Sequence, residues 1–543
     1  MAYFIKKTTR SGKKKPASVQ EKSAAQNCNA SFSEEELKKM PISYSLIENM
    51  RKLNEIIGKN DDLIIRNITL GRSGVKPATV FYLVNMIDAS RMDSDIMHPL
   101  VLDAYTSGLN TSCEIIEQLQ AGNLITRGQT KTVQNFNDLL AGVLTGEVGI
   151  FIDKVNEAYI ISAKGYKYRN VAETEVEPVV RGPREAFVEA LSVNMGLIRR
   201  RLHSPNLVFE SLEIGTVGKI KVCMVYIKGI CPVGLSDEVR SRLEGISIDD
   251  ILESSYIEEL IQDHPYSIFP QMRNTERPDV VVSSLLEGRV AIITDNTPVA
   301  LIAPGEFFSL MQTAEDYYNR YTFSSLIRLL RYFCLIIAML LPALYIAITN
   351  YHQEMVPNGL LISIISARAQ VPFPALVEAL SMEITFEILR EAGVRLPKPI
   401  GQAVSIVGAL VIGQAAVQAN IVSPLMVIVV ALTGIATFAI PQFNVSLPVR
   451  ILRFFLMLLA SVFGMYGVMI GILFIMLHLF SMESFGKPYM APLSPVRAGD
   501  LKDTLIRFPW WALVKRPVNS SRNSKRMRSG QIPHPPQKRG GRQ

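Results

Sequence analysis

The pattern of apolar and polar positions divides this 543-residue chain near residue 331. Before that point charged residues are frequent, and the apolar runs are as short as single β-strands. Residues 332–482, in contrast, hold only five acidic and six basic side chains among long apolar stretches. Such stretches match the roughly 20 residues that a helix needs to cross a bilayer. The pattern therefore predicts an α/β region followed by an all-α, multipass transmembrane domain.

The first half of the chain contains an internal repeat. Residues 63–100 resemble residues 207–243, since each has a strand-like run, a turn with glycine, a second apolar strand and a polar linker into a helix. A second pair, 146–162 and 288–304, is typical of two strands around a turn. Both pairs recur after about 144 residues, which indicates a duplication. We therefore predict internally duplicated α/β lobes.

Uncharged runs give the predicted membrane spans. Residues 332–353 form the first span, the stretch between Lys398 and Arg450 encloses two more, and residues 454–482 form the last. Arginines precede the first span, so the positive-inside rule places the α/β region on the cytoplasmic side. Segment 359–392 leaves two counts open: four full spans with this segment embedded, or five spans.

The predicted organisation has five parts: a basic disordered N-terminal arm (1–40), a first α/β lobe (41–172), a second α/β lobe (173–328), the transmembrane domain (329–485) and a basic C-terminal tail (486–543). The arm has six Lys and Arg between Met1 and Pro16, and the tail has thirteen Lys and Arg against two Asp. Both ends fit either solvated tails or contact with anionic membrane lipid. Neither end interleaves aromatic residues within a folded motif, so no nucleic-acid partner is expected.

No catalytic chemistry is predicted. The five cysteines lie at no metal-ligand spacing, and the six histidines are scattered. The phosphate-loop, dinucleotide, nucleophile-elbow and zinc-protease motifs are not found in the sequence. We therefore expect no enzyme activity, no cofactor and no metal.

Four carboxylates interrupt the apolar half, at Glu378, Glu383, Glu387 and Glu391. An ionised side chain at the centre of a bilayer costs roughly 2.5–3.5 kcal/mol, so this segment must face protein, water or the membrane surface. On a helix the last three lie within an arc of about 80°, and Glu378 lies about 140° from Glu383.

Three interpretations of these carboxylates are open. In a symmetric ring of protomers they would form a collar that concentrates cations, with Glu383, Glu387 and Glu378 along the ion pathway. Val371, beside two prolines, would then form a hinge or constriction. Alternatively the helix lies at the membrane surface, or the carboxylates form internal salt bridges with Arg368 or Arg390.

Small side chains recur every four residues further along, at Ser405, Ala409 and Gly413, with Gly408 beside them. This spacing lets helix backbones approach closely. It fits packing within one protomer or an interface between protomers.

Three long motifs carry a family resemblance: RGPREAFVEALSVNMGLIRRRLHSPNL (181–207), FPQMRNTERPDVVVSSLLEGRVAIITDNTPVALIAPGEFF (269–308) and the segment 372–424, which begins PFPALVEALSMEITFEILREAG. With them, residues 45–485 resemble the A subunit of GerA-type bacterial spore germinant receptors. The resemblance implies a multipass protein of the spore inner membrane that works with a transporter-like B subunit and a lipoprotein C subunit. It also implies that A subunits assemble as a homo-oligomer around an ion-conducting path.

The sequence and the resemblance together predict a subunit of a nutrient receptor that triggers germination as a nutrient-gated cation channel. The alternatives are a membrane scaffold or a transporter-like subunit that does not itself conduct ions. A transporter is disfavoured because the visible duplication lies outside the apolar half.

Overall fold

The computed structural model describes residues 31–70, 76–103, 106, 117–118, 130–165, 174, 177–395, 411–497, 499–517 and 525–526. The chain forms two compact units. The first contains Met1–Lys167 with Leu202–Glu210 and Ile227–Gly229, and the second contains Tyr168–Arg201, Ser211–Tyr226 and Ile230–Gln543.

The first unit is built around a five-stranded sheet. Its helices are α1 (Glu34–Lys38), α2 (Leu46–Ile57) and α3 (Phe136–Val143), and its strands are β1 (Leu63–Leu70), β2 (Lys76–Leu83), β3 (Thr130–Val133), β4 (Glu147–Ile152) and β5 (Ala158–Ser162). Short helical turns occupy Val84–Met86, Ala89–Arg91, Met92–Met97 and Pro99–Asp103. All strands pair antiparallel in the order β1-β2-β4-β5-β3.

This sheet is buried on both faces. Phe81 of β2 points into a core shared with the helices, and its neighbours Val80 and Tyr82 point into a second core with the turns that follow β2. Such alternation is the normal geometry of a strand. Helix α1 begins with a capping box between Ser33 and Glu36, so residues from 33 onward are folded and do not belong to the predicted disordered arm.

The second unit contains an equivalent sheet. Its α/β part comprises α4 (Leu191–Arg201), β6 (Leu207–Ile214), β7 (Ile220–Ile227), α5 (Val233–Glu244), α6 (Ser254–Ile261), β8 (Arg273–Thr275), α7 (Pro278–Leu286), β9 (Val290–Thr294) and β10 (Ala300–Ala303). Within these strands, Leu207–Glu210 and Ile227 are counted with the first unit. Short helices follow at Phe307–Leu310 and Glu315–Tyr318. The strand order is β6-β7-β9-β10-β8. Strand for strand this is the order of the first sheet, so the two sheets have the same topology, as the internal repeat predicts.

The apolar half is helical. Its helices are α8 (Tyr321–Tyr351), α9 (Asn358–Arg368), α10 (Ala375–Arg395), α11 (Pro424–Phe438) and α12 (Phe443–Ser481), and residues 411–418 are also helical. Among the described residues, α8 and α12 are long and apolar enough to cross a membrane by length and composition. A break at 369–374 divides the predicted embedded segment 359–392 into α9 and α10.

Helix α12 reverses direction at Gly464, whose φ of 59° and ψ of −138° are not helical. A Cβ atom on Gly467 would lie 2.2 Å from the carbonyl oxygen of Leu459, and one on Gly471 would lie 2.4 Å from Leu456. Residues 443–463 and 465–481 therefore pack as two antiparallel arms. The predicted last span, residues 454–482, therefore includes parts of both arms, because hydropathy alone does not distinguish one long helix from two shorter ones.

The chain after α12 folds back onto the α/β part of the second unit. Strands β11 (Glu483–Ser484) and β12 (Lys487–Pro488) form a small hairpin. The Tyr489 hydroxyl donates to the carbonyl of Pro270 at 2.9 Å, and the Ser484 hydroxyl donates to that of Gln271 at 2.6 Å. The predicted C-terminal tail is thus a packed part of the fold over much of its described length.

Candidate functional site: charged pairs among the apolar helices

Helix α10 carries the four glutamates that the sequence singled out. The helix begins at Ala375, immediately after Pro372, Phe373 and Pro374. A proline has no N–H to donate and fits the start of a helix but not its interior. The start of α10 is therefore fixed by the sequence, and Glu378 lies in its first turn.

Glu383 forms the most deeply buried ion pair of this region. Arg453 Nη1 of α12 donates to Glu383 Oε2 at 2.6 Å, and the side chains are 0% and 1% exposed. A second nitrogen of Arg453 donates to the Thr437 hydroxyl of α11 at 3.4 Å. Each charge would be costly to bury without the other, so the pair fixes α10, α11 and α12 against one another.

Glu378 occupies a second buried position. The backbone N–H of Ser423 donates to Glu378 Oε2 at 3.0 Å, and Arg368 Nε of α9 lies 3.5 Å from Oε1. The Ser423 hydroxyl lies 3.4 Å from the Tyr345 hydroxyl of α8. Glu378 therefore joins the start of α11 to α9, and the predicted salt bridge with Arg368 is present.

Glu387 lies nearer the protein surface. Arg450 of α12 contacts both carboxylate oxygens, with its Nε donating to Oε1 at 2.9 Å, and Arg390 Nη1 lies 3.7 Å from Oε1. These side chains are 14–20% exposed. Among the described residues, Glu391 pairs with Arg395 of the next turn, and both side chains are exposed.

The carboxylates thus change from buried to exposed along α10. We use the name carboxylate seam for Glu378, Glu383 and Glu387 with their partners Arg368, Arg453 and Arg450. An open groove of about 640 Å³, lined in part by Glu387, Glu391 and Arg450, follows the outer end of the seam.

The other predicted site residues have separate positions. Val371 is half-buried in the break between α9 and α10, and its backbone N–H donates to the Arg368 carbonyl at 3.0 Å. Gly413 is buried, and a Cβ atom there would lie 3.8 Å from Val427 of α11, an ordinary packing distance. Ser405, Gly408 and Ala409 lie outside the described residues.

Arg450 and Arg453 are the residues that sequence reasoning missed. They are three positions apart on α12 and match Glu387 and Glu383, which are four positions apart on α10. Two basic residues at helical spacing in an apolar run are themselves a signal, since each is as costly to bury as a carboxylate. The spacing therefore predicts that both arginines have acidic partners, but it does not predict which acidic residues these are.

A further polar contact joins the helices to the α/β part of the second unit. Gln442, just before α12, donates to Glu177 Oε1 at 3.1 Å and to the Asn274 carbonyl at 3.3 Å. Burial raises the pKa of Glu177, although the charges of Arg273 and Arg277 act to lower it. At the other end of α12, the His478 ring lies 2.9 Å from the Ser267 hydroxyl. Both ends of α12 therefore contact the α/β part, as a helical hairpin requires.

The described part of the chain thus combines two α/β sheets of the same strand order with apolar helices that carry internal ion pairs. The family model described as Bacillus/Clostridium GerA spore germination protein matches residues 51–519. The chain belongs to this family.

Individual relatives agree with the family match. Spore germination protein KA of Bacillus subtilis is 45% identical over 92% of this chain and 91% of that protein. The uncharacterized membrane protein YfkQ of B. subtilis is 43% identical over 89% and 93%, and spore germination protein GerLA of Bacillus cereus is 38% identical over 88% and 96%. The crystal structure of the N-terminal domain of the A subunit of the Bacillus megaterium spore germinant receptor GerK3 is 33% identical over 49% of this chain and 97% of that domain, with a TM-score of 0.39.

Proposed function

We propose that this protein is the A subunit of a nutrient-germinant receptor in the spore inner membrane, and that it forms an oligomeric, nutrient-gated cation channel. Its proposed partners are a transporter-like B subunit, a lipoprotein C subunit and further copies of itself. The names of its relatives and the match to the GerA family support the germination role. Because the family consists of germination proteins, we propose no catalytic step.

Helix lengths support a multipass arrangement. At about 1.5 Å per residue, the 31 residues of α8 would extend about 46 Å, and the first and second arms of α12 would extend about 31 Å and about 25 Å. The hydrocarbon core of a bilayer is roughly 30 Å thick. The α12 arms meet near Tyr351 and His352 at the end of α8, since a Cβ atom on Gly464 would lie 3.0 Å from each. The end of each α12 arm that lies away from Gly464 contacts the α/β part. The chain would therefore leave the membrane on the side on which it entered. This favours an even number of crossings.

The observation that carries the channel proposal is the carboxylate seam. Three carboxylates lie at successive levels of one helix within an otherwise apolar bundle, and the outermost, Glu387, faces an open groove. Intramembrane ionisable residues commonly mark an ion path. In the proposed oligomer, Glu383, Glu387 and Glu378 would line or border this path, and Val371 would form its constriction.

The test compares Glu387→Gln and Glu383→Gln with Glu244→Gln, an exposed control on α5, in dormant spores. We expect a slower release of monovalent cations after nutrient addition from spores with Glu387→Gln, while the amount of receptor in the membrane is unchanged. The control should release cations as the wild type does. Normal release from both seam variants at normal receptor abundance would contradict the channel proposal.

A scaffold role is the second candidate, and one observation favours it. Each seam carboxylate already has an arginine partner within its own chain, so the charges balance without an ion. A scaffold predicts that the seam variants lower receptor abundance and cation release in the same proportion. Normalising release to abundance therefore separates the two roles.

A further inference from the structure

Residues 499–517, which we call the C-terminal strap, have an unusual distribution of polar and apolar side chains. Its polar residues point inward: Thr504 and Arg507 are each 3% exposed, and Asp503 is largely covered. Most of its large apolar residues point outward: Leu505, Ile506, Phe508, Trp510 and Trp511 are all 38–45% exposed, whereas Leu513 is buried. In water this arrangement is unfavourable, because these five side chains keep about two-fifths of their surface in contact with solvent.

The polar side of the strap is fixed to the base of α8. Ser325 of the first turns of α8 donates through its hydroxyl to the Arg507 carbonyl at 2.9 Å, and Arg507 Nη1 donates to the Asn319 carbonyl at 2.8 Å. The Tyr317 hydroxyl donates to Asp503 Oδ2 at 2.8 Å. These bonds fix which face of the strap points outward.

The outward face of the strap continues an apolar surface on α8. Tyr321, Phe323, Leu326 and Leu330, in the first three turns of that helix, are 45–64% exposed. The strap therefore lies where an apolar helix surface begins, next to the polar α/β part. This is the position of the boundary between lipid and water in a membrane protein.

We propose that the C-terminal strap lies in the bilayer interface, with Trp510, Trp511 and Phe508 inserted among anionic headgroups and the outer ends of the acyl chains. Tryptophan and tyrosine are enriched at this level of a membrane because each has an apolar ring and a polar group. After Trp511 the chain has nine Lys and Arg and no acid, which fits an anionic surface. This inference rests on the proposed insertion of α8 and α12 in the membrane.

The chain offers its own probe, because Trp510 and Trp511 are its only tryptophans. The full-length protein, and the single-tryptophan variants Trp510→Phe and Trp511→Phe, would be reconstituted in phosphatidylcholine–phosphatidylglycerol vesicles. Emission would be measured with lipids brominated near the headgroup end or near the tail end of the acyl chains, and with aqueous iodide. We expect shallow bromines to quench about twofold more than deep ones, and iodide to quench weakly.

Two reference variants in a chain with both native tryptophans replaced by phenylalanine calibrate the depth. Phe474→Trp, 63% exposed in the second arm of α12, should be quenched most by deep bromines. Tyr44→Trp, 64% exposed in the first unit, should respond only to iodide. If brominated lipid also fails to quench Phe474→Trp, the proposed membrane insertion of α12 is wrong. That outcome differs from a failure of the strap proposal alone.

Three results would overturn the strap proposal while Phe474→Trp stays lipid-quenched. Strap tryptophans that behave like Tyr44→Trp would show a surface in water. Strap tryptophans protected from both bromine and iodide would show a face covered by protein, either a second copy or a partner subunit. Shallow quenching that is unchanged when phosphatidylglycerol is replaced by phosphatidylcholine would exclude the preference for anionic lipid.

Discussion

Arg328 and Asp503 form a buried ion pair between residues 175 positions apart in the sequence, with 3.0 Å between Arg328 Nη1 and Asp503 Oδ1. Arg328 is completely buried and also contacts Asp316 at 3.3 Å. Asp316 in turn accepts a hydrogen bond from Arg331 at 2.7 Å. The base of α8, the end of the α/β part and the C-terminal strap are thus held together by one charge network.

The carboxylates of this network differ in their titration. Burial acts to raise the pKa of Asp316, but the hydrogen bond and charge of Arg331, with the charge of Arg328, leave that pKa below its ordinary value. Burial raises the pKa of Asp503, and the charge of Arg328 only partly offsets this effect. Asp316 is therefore ionised more readily than Asp503 beside Arg328 and Arg331. Asp503 connects the strap to this charge network.

We predict that Asp503→Asn lowers the free energy of unfolding by about 3 kcal/mol, because it removes one partner from a buried charged pair. Thermal or urea unfolding of the detergent-solubilised protein measures the effect. The matched control is Glu391→Gln, which breaks a pair whose side chains are 64% and 78% exposed and should change stability by less than about 1 kcal/mol. Equal effects of the two substitutions would contradict a structural role for the network.

We predict a pH-dependent stability that depends on Glu258 of α6. Burial, with the charges of Glu253 and Glu259, raises the pKa of Glu258 to about 7. In the unfolded chain the pKa of a glutamate is about 4.3, so the folded protein binds an additional proton between these values. The stability that this proton contributes is complete at low pH and is lost as the pH rises towards and through about 7.

Glu258→Gln removes the ionisation that opposes folding. Its unfolding temperature should therefore exceed that of the wild type above pH 7, and the difference should shrink towards pH 5. Differential scanning calorimetry at several pH values measures this difference. Glu244→Gln, an exposed position on α5, is the control and should give a constant difference. A constant difference for Glu258→Gln as well would show that this carboxyl does not titrate near pH 7.

We predict that Gly464→Ala destabilises the helical hairpin of α12 by about 1–3 kcal/mol, since a residue with a side chain is strained at a positive φ of this kind. The added Cβ would also contact Tyr351 and His352 at 3.0 Å. Gly359→Ala is the control: it lies in α9 with no atom within 4 Å, and alanine is the better helix former. Unfolding in detergent should show loss for the first variant and no loss for the second.

The sequence predicts the α/β part well because its signals are local. Strand-length apolar runs, glycine turns and their recurrence after about 144 residues are enough to anticipate two equivalent sheets.

The seam and the strap depend on tertiary contacts that local sequence does not specify. Glu383 and Glu387 meet arginines 70 and 63 positions away, and no pattern within either helix names the partner. The reversal at Gly464 occurs inside a continuous apolar run, where only glycines at 464, 467 and 471 mark a close approach. Asp503 and Arg507 are part of a basic, polar sequence that resembles a solvated tail until their contacts with α8 are known.

We predict that the two ion pairs Glu383–Arg453 and Glu387–Arg450 of the carboxylate seam differ in their energetic coupling. Glu383 and Arg453 are fully buried, whereas Glu387 and Arg450 are about one-fifth exposed, so the two pairs differ mainly in access to solvent. Arg453→Met alone should cost about 3–5 kcal/mol, because it leaves the Glu383 carboxylate buried without a counter-charge. Adding Glu383→Met should recover much of this loss, since an apolar pair of similar volume is often as stable as a buried ion pair.

The equivalent cycle at Glu387 and Arg450 should give a coupling of about 1 kcal/mol or less, because solvent compensates each charge when its partner is removed. Urea unfolding in detergent of the wild type, the four single variants and the two double variants gives both coupling energies. A coupling at Glu383 and Arg453 no larger than at the exposed pair would mean that solvent reaches the buried pair. That outcome would favour a water-filled path along α10 over a dry structural contact.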